Sequence, residues 1–345
     1  MIKIAPSIGS KGIGVLTERR LSYVDHLVPL CQLIDIPLLV TDRWIYEIIQ
    51  LYYPPMQLVY FDPDDNCLDD ALYGYDYFVY TEPSRKVSGH FEFCNHYTTV
   101  KARSIFTHHG NSEKSFGMYW FERLMDEDIL LIYGEHMLEM MRAIGVTKPF
   151  IKCGNYRLAY YQLYKIFFQR NITLHLFEPS KRKTLLYAPT WAGSNLYTEW
   201  RFEYSTCLEK HQSILEEIPN GYQVLVKLHP NHLLRMPDET EKLIASYQGN
   251  PQIRFIHDFP LIYPLLEHTD LYVGDFSSIG YDFLYFDRPM FFLTGERERM
   301  LNRCGISLGE KGFWKRVHED QSHLSLIRKQ TYEHAFGSGI CTLIS

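Results

Sequence analysis

A net basic charge is missing: 35 lysines and arginines stand against 41 aspartates and glutamates, for a formal charge of −6, with no long basic run. That balance argues against nucleic acid or an acidic membrane surface as the dominant partner. The seven cysteines, Cys31, Cys67, Cys94, Cys153, Cys207, Cys304 and Cys341, show no C-x-x-C spacing and are odd in number. They therefore read as reduced thiols rather than a disulfide framework or a zinc site. No apolar run approaches the ~20 residues that cross a bilayer, and the opening MIKIAPSIGSKGIG has no secretory apolar core. The expectation is a soluble cytoplasmic protein, with peripheral contact at the inner face of a membrane left open. Fixed-period repeats and low-complexity tracts are also absent, so 345 residues predict two ordinary domains.

Short apolar runs alternate with helical periodicity along the chain. Helical spacing of Val24, Leu27, Val28, Cys31 and Ile34 precedes a strand at 36–40, and Thr41-Asp42 can cap the helix that follows. Further strands are predicted at 58–61, 77–80, 104–107, 129–133 and 150–153, then at 184–187, 223–228, 253–256, 271–273 and 290–293. Strands apolar throughout, alternating with helices, imply parallel sheets covered on both faces. The fold class is therefore α/β, as two Rossmann-like doubly wound lobes facing a central cleft, with residues 1–165 as one lobe and 180–345 as the other. A terminal helix is expected over 318–336. Gly9-Ser10-Lys11-Gly12-Ile13-Gly14 lacks a preceding strand and a Gly-Lys-Ser/Thr ending, so it reads as a flexible opening turn. Asp62-Pro63-Asp64-Asp65 has a D-x-D spacing but reads as a turn, and no metal or other cofactor is expected.

Chemistry concentrates at strand ends. In LYVGDFSSIGYDFLYFDRPMFFL (271–293), a strand, a serine turn, a helix and a second strand follow within thirty residues. Ser277 or Ser278 can cap the helix and offer hydroxyls and N–H groups to a diphosphate, with Asp282 one turn deeper for ribose hydroxyls. Alternatively, these are a plain N-cap and a surface acid. His108-His109-Gly110 ends another strand, where a neutral imidazole can take a proton from an acceptor hydroxyl, or simply form a hydrogen-bonded pair. Lys227 and His229 share one face at the end of 223–228, favouring an anion; an exposed edge strand explains the same letters. Thr190 and Trp191 follow the Pro189 break. Arg157, after Gly154, can clamp phosphate or pair with an acid.

Taken together, HHGNSEK (108–114), YAPTW (187–191), VKLHP (226–230) and GDFSSIGYDFLYFDRPMFF (274–292) resemble the CDP-glycerol glycerophosphotransferase family, the enzymes that build or prime polyol-phosphate teichoic acid chains. The resemblance implies a GT-B-like fold and transfer of glycerol phosphate, or a related polyol phosphate, from a CDP-activated donor to an acceptor hydroxyl, releasing CMP. It implies His109 and His229 as catalytic, and Ser277, Ser278, Asp282, Arg157, Lys227 and Thr190 on the donor. The acceptor would be a polyol phosphate or a glycan- or lipid-linked chain. The family's arginine after Pro-Thr-Trp is Ala192 here. Two rival readings keep the fold: a CMP-sugar-dependent transferase of sialyl or Kdo type, and a non-catalytic nucleotide-binding scaffold.

Overall fold

A computed structural model describes residues 11–62, 64, 71–81, 96, 102–111, 124–172, 176–178, 181–191, 193–194, 201–202, 210–257, 259–275, 277–293, 300–308 and 312–338. The chain divides into two compact units. One comprises Met1–Asn111, Ser115–Phe168 and His334–Ser345; the other comprises Ser112–Lys114 and Gln169–Glu333. The terminal residues thus group with the first unit, where the sequence reading kept all of 180–345 together.

The first unit holds a seven-stranded sheet of order β3-β2-β1-β4-β5-β6-β7. Its strands are β1 Gly12–Leu16, β2 Leu38–Val40, β3 Leu58–Tyr60, β4 Tyr77–Tyr80, β5 Arg103–Thr107, β6 Ile129–Ile132 and β7 Phe150–Lys152. Every pairing is parallel. The opening glycines are not a loose turn: Gly12 and Gly14 lie in the central strand. A Cβ on Gly12 would sit 2.1 Å from the Tyr77 ring, and one on Gly14 2.3 Å from Cys31 Sγ. Their spacing serves close packing of strand and helix, not a phosphate; Gly9 and Ser10 lie outside the described residues. Asp42 caps the helix Arg43–Tyr52 as expected, accepting the Ile45 N–H at 2.9 Å. Asp62 accepts the Asp64 N–H at 3.0 Å, the side-chain bond expected at a turn; Pro63 and Asp65 lie outside the described residues.

The second unit holds a six-stranded parallel sheet of order β12-β11-β8-β13-β14-β15 and a small antiparallel hairpin, β9 Gly193–Ser194 with β10 Arg201–Phe202. The sheet strands are β8 Lys183–Ala188, β11 Tyr222–Lys227, β12 Ile253–Ile256, β13 Leu271–Gly274, β14 Met290–Phe292 and β15 Ile306–Ser307. Alternate residues divide between the faces: Leu185, Tyr187, Val224, Val226, Val273 and Phe291 share one core with Leu243 and Phe313. On the opposite face Tyr272 stacks on Phe283, ring centroids 5.5 Å apart. Burial on both faces is why these strands are apolar without alternation. β11 has a neighbour on each side, so the exposed-edge reading of Lys227 and His229 does not hold. The last helix starts at Ser325, after a short turn at Ser322–Leu324, rather than at 318. Its first turn is tied down by Arg328 Nε, 2.6 Å from Asp287 Oδ1.

Candidate active site

Strand order reverses between β8 and β13 in the second sheet, and doubly wound sheets bind ligands beyond the carboxyl ends of strands at such a switch point. Here the two strand ends are bolted together: fully buried Asp275 accepts the Thr190 N–H at 2.8 Å. The Thr190 carbonyl in turn accepts from His232 Nε2 at 3.2 Å. A carbonyl can only accept, so His232 carries its proton on Nε2; burial lowers its pKa, with the Thr190 carbonyl opposing. Both backbone groups of Thr190 are thereby fixed.

His229 is the N-cap of the helix Pro230–Arg235, its Nδ1 accepting the Asn231 N–H at 3.1 Å. Nδ1 is thus unprotonated, and Nε2–H is left as the ring's donor. Trp191 lies beside it, centroids 6.1 Å apart, with the Arg235 guanidinium 4.7 Å over the indole. Lys227 is buried at the end of β11.

At the serine turn, the capping side chain is Ser277. Ser277 Oγ receives the Ile279 N–H at 3.4 Å, whereas Ser278 makes no capping bond and stays half-buried. The helix Ile279–Phe283 has five residues before a single tighter turn, Leu284–Phe286. Little macrodipole stands behind it, so what the turn can offer an anion is its hydroxyls and N–H groups. Gly274 and Gly280 make room for the Tyr272 hydroxyl under this turn, 2.2 and 3.3 Å from where their Cβ atoms would stand. Asp282 is 1% exposed and its Oδ1 accepts from the Tyr263 hydroxyl at 2.8 Å. It anchors the turn to the helix Tyr263–Glu267 instead of standing open for a ribose.

In the first unit, β5 ends in Thr107, His108 and His109. His108 is buried, and burial, followed by the neighbouring His109 imidazole, pushes its pKa down to about 3. His109 is half-buried, its ring edge-on to Tyr23 at 5.0 Å. Gly110 follows at φ 116°, a conformation that favours glycine. Arg157 departs from its expected role: its Nη1 is 2.7 Å from Asp25 Oδ2, both side chains buried. A guanidinium so committed is a structural ion pair of the first unit, not a clamp on the donor. Sequence reasoning also missed His26, Tyr133 and Tyr156 beside the histidine pair. No local pattern marks them, because their partners lie over 20 residues away. Among the described residues, no three His, Cys, Asp or Glu side chains are placed to hold a metal ion, and no helix is long and apolar enough to cross a membrane.

Residues 164–311 match the family model described as CDP-Glycerol:Poly(glycerophosphate) glycerophosphotransferase. The stretch contains Thr190, Lys227, His229, Ser277, Ser278 and Asp282, and leaves His109 outside. A teichoic acid poly(glycerol phosphate) polymerase of Bacillus subtilis is 31% identical over 124 residues, 35% of this chain and 15% of that protein. A teichoic acid glycerol-phosphate primase of Bacillus spizizenii is 27% identical over 128 residues, 37% of this chain and 30% of that one. These matches span less than a third of the relatives' own lengths. Among solved structures, the wall teichoic acid polymerase TagF superposes with a TM-score of 0.65 at 15% identity, covering 94% of this chain and 84% of that one. A Staphylococcus aureus MnaA–UDP structure gives 0.60 at 10% identity, covering 97% and 94%. The fold is GT-B-like, and the similarity to the CDP-glycerol:poly(glycerophosphate) glycerophosphotransferase family is carried by residues 164–311.

Proposed function

We propose that the protein transfers glycerol phosphate from CDP-glycerol to an acceptor hydroxyl, releasing CMP. The observation that carries this reading is the Asp275–Thr190 bolt at the switch point, with Ser277, Ser278 and His229 around it and all of them inside the family-matched stretch. Ser277, Ser278 and Thr190 present hydroxyls to the diphosphate, and Lys227 supplies positive charge. Asp282 acts indirectly, by fixing the serine turn through Tyr263. His109 takes the proton of the acceptor hydroxyl, whose oxygen attacks the β-phosphorus. The bond from that phosphorus to the bridging oxygen breaks, and the electron pair leaves on CMP. His229 meets the new charge as a neutral Nε2–H donor, because its Nδ1 is occupied as an acceptor. Positioning and electrostatics carry such a reaction. The acceptor is a polyol phosphate or a glycan- or lipid-linked chain, met from the cytoplasmic side, with peripheral membrane contact. The family match favours this donor over a CMP-sugar.

The test is CMP release from CDP-glycerol, CDP-ribitol and a CMP-sugar, supplied separately. CDP-glycerol is the expected donor. Ser278→Ala should lower kcat/KM roughly tenfold to a hundredfold, as expected for one hydrogen bond to a charged group worth about 1.5–3 kcal/mol. Turnover of the CMP-sugar alone would refute the reading, and CDP binding without turnover of any donor would favour the scaffold.

A further inference from the structure

Beside His109 lies a buried polar chain that the reaction as described does not use. It starts on the helix Leu21–Leu33, which presents Tyr23 and His26 on one face, three residues apart. His26 Nδ1 lies 2.5 Å from the Tyr133 hydroxyl. That hydroxyl donates to the His108 carbonyl at 3.1 Å. Tyr156 backs the chain: its ring stacks on Tyr133 at an interplanar angle of 8°, and its hydroxyl is 3.4 Å from both Tyr133 Oη and His26 Nδ1.

We propose that His26, acting through the Tyr133 hydroxyl and the His108 carbonyl, is a positioning residue that holds the His109 imidazole in register for proton transfer. The inference rests on the reading of His109 as the base.

Counting protons sets the direction of the chain. Tyr133 has one hydroxyl proton, and the buried His108 carbonyl can only accept, so the proton goes there. His26 must then donate from Nδ1 to the Tyr133 oxygen, leaving Nε2 without a proton. Burial keeps the ring neutral, aided by the nearby Arg157, His109 and His108. The carbonyl that Tyr133 grips belongs to the peptide joining His108 to His109, so fixing its plane fixes the backbone from which the His109 side chain leaves. On the far side, Gly110 at φ 116° sets the chain's exit. The ring itself meets the same helix twice, edge-on to Tyr23 at 5.0 Å and to His26 at 6.5 Å. One helix face thus constrains both the backbone and the ring of the proposed base.

The full chain is assayed for CMP release from CDP-glycerol with a synthetic oligo(glycerol phosphate) as acceptor. His26→Leu and Tyr133→Phe should each lower kcat at least tenfold while KM for CDP-glycerol stays within twofold. His26→Asn, which keeps an N–H donor, should recover most of the loss. A His26→Leu kcat within twofold of the parent, alongside an inactive His109→Ala, would overturn this inference and leave the reading of His109 intact. An active His109→Ala would bring down both. Nitrogen-15 NMR of the unmodified protein guards against a variant that fails to fold: the Nδ1–H tautomer of His26 supports the chain, and the Nε2–H tautomer overturns it.

Discussion

Replacing Asp275 by alanine removes the tie between the ends of β8 and β13. The bond it makes is charge-assisted, 2.8 Å long, and joins residues with 0% and 1% exposure. Such a bond contributes about 1.5–3 kcal/mol, and the orphaned Thr190 N–H, with no water to turn to, accounts for much of the loss. For a unit of this size, a loss of about 2–3 kcal/mol lowers the melting temperature of the second unit by roughly 4–10 °C. Thr190 is also a proposed ligand contact, so CDP affinity should fall about tenfold, equivalent to about 1.4 kcal/mol. Asp275→Asn keeps an acceptor oxygen and should lose about half as much. Scanning calorimetry reads the first effect and titration calorimetry with CDP the second. An Asp275→Ala protein that melts with the parent and binds CDP equally well would show that the bolt does not organise the site.

Arg157→Met should destabilise the first unit by about 3–5 kcal/mol because it strands the buried Asp25 carboxylate, while the double change Arg157→Met with Asp25→Leu should recover much of that in urea unfolding. A recovery no better than the single change would refute the ion-pair assignment. Stability should also fall on acidification from pH 6.5 to 4.5. Below about pH 6.5 the unfolded chain protonates His26 and His108, which the fold holds neutral, His108 down to about 3. Each histidine therefore costs up to ~1.4 kcal/mol per pH unit in that window. Glu127, raised from 4.5 to about 7 by burial, opposes them, since its contribution is present below 4.5 and lost as the pH rises through 7. Glu127→Gln should steepen the acid loss, and urea midpoints that stay flat across the window would contradict the assignment.

Much of the fold was legible because its strands are buried on both faces, which writes them as short apolar runs that need no partner information. β15, with two residues, was too short to stand out. Gly12 and Gly14 were misread as a flexible opening turn because a glycine-x-glycine spacing fits a turn and a crowded strand equally well; only the Tyr77 and Cys31 side chains decide between them. His229 and the serine turn sit on local strand-to-helix transitions, which the spacing of apolar and polar residues shows without knowledge of distant partners. Arg157 misled for the opposite reason, since Asp25, 132 residues away, determines what its guanidinium can do. His26 stayed hidden similarly, with Tyr133 lying 107 residues further on. Local chemistry could be read along the chain, whereas the buried polar pairs belong to the tertiary structure.

The central claim is that the second unit grips the diphosphate of a cytidine nucleotide at the β8–β13 switch point. Titration calorimetry of the full chain with CDP and with UDP tests it most directly, using the parent and Ser278→Ala. CDP should bind at least tenfold more tightly than UDP, and the variant should lose roughly tenfold in CDP affinity. No measurable CDP binding, or a preference for UDP, would contradict the account.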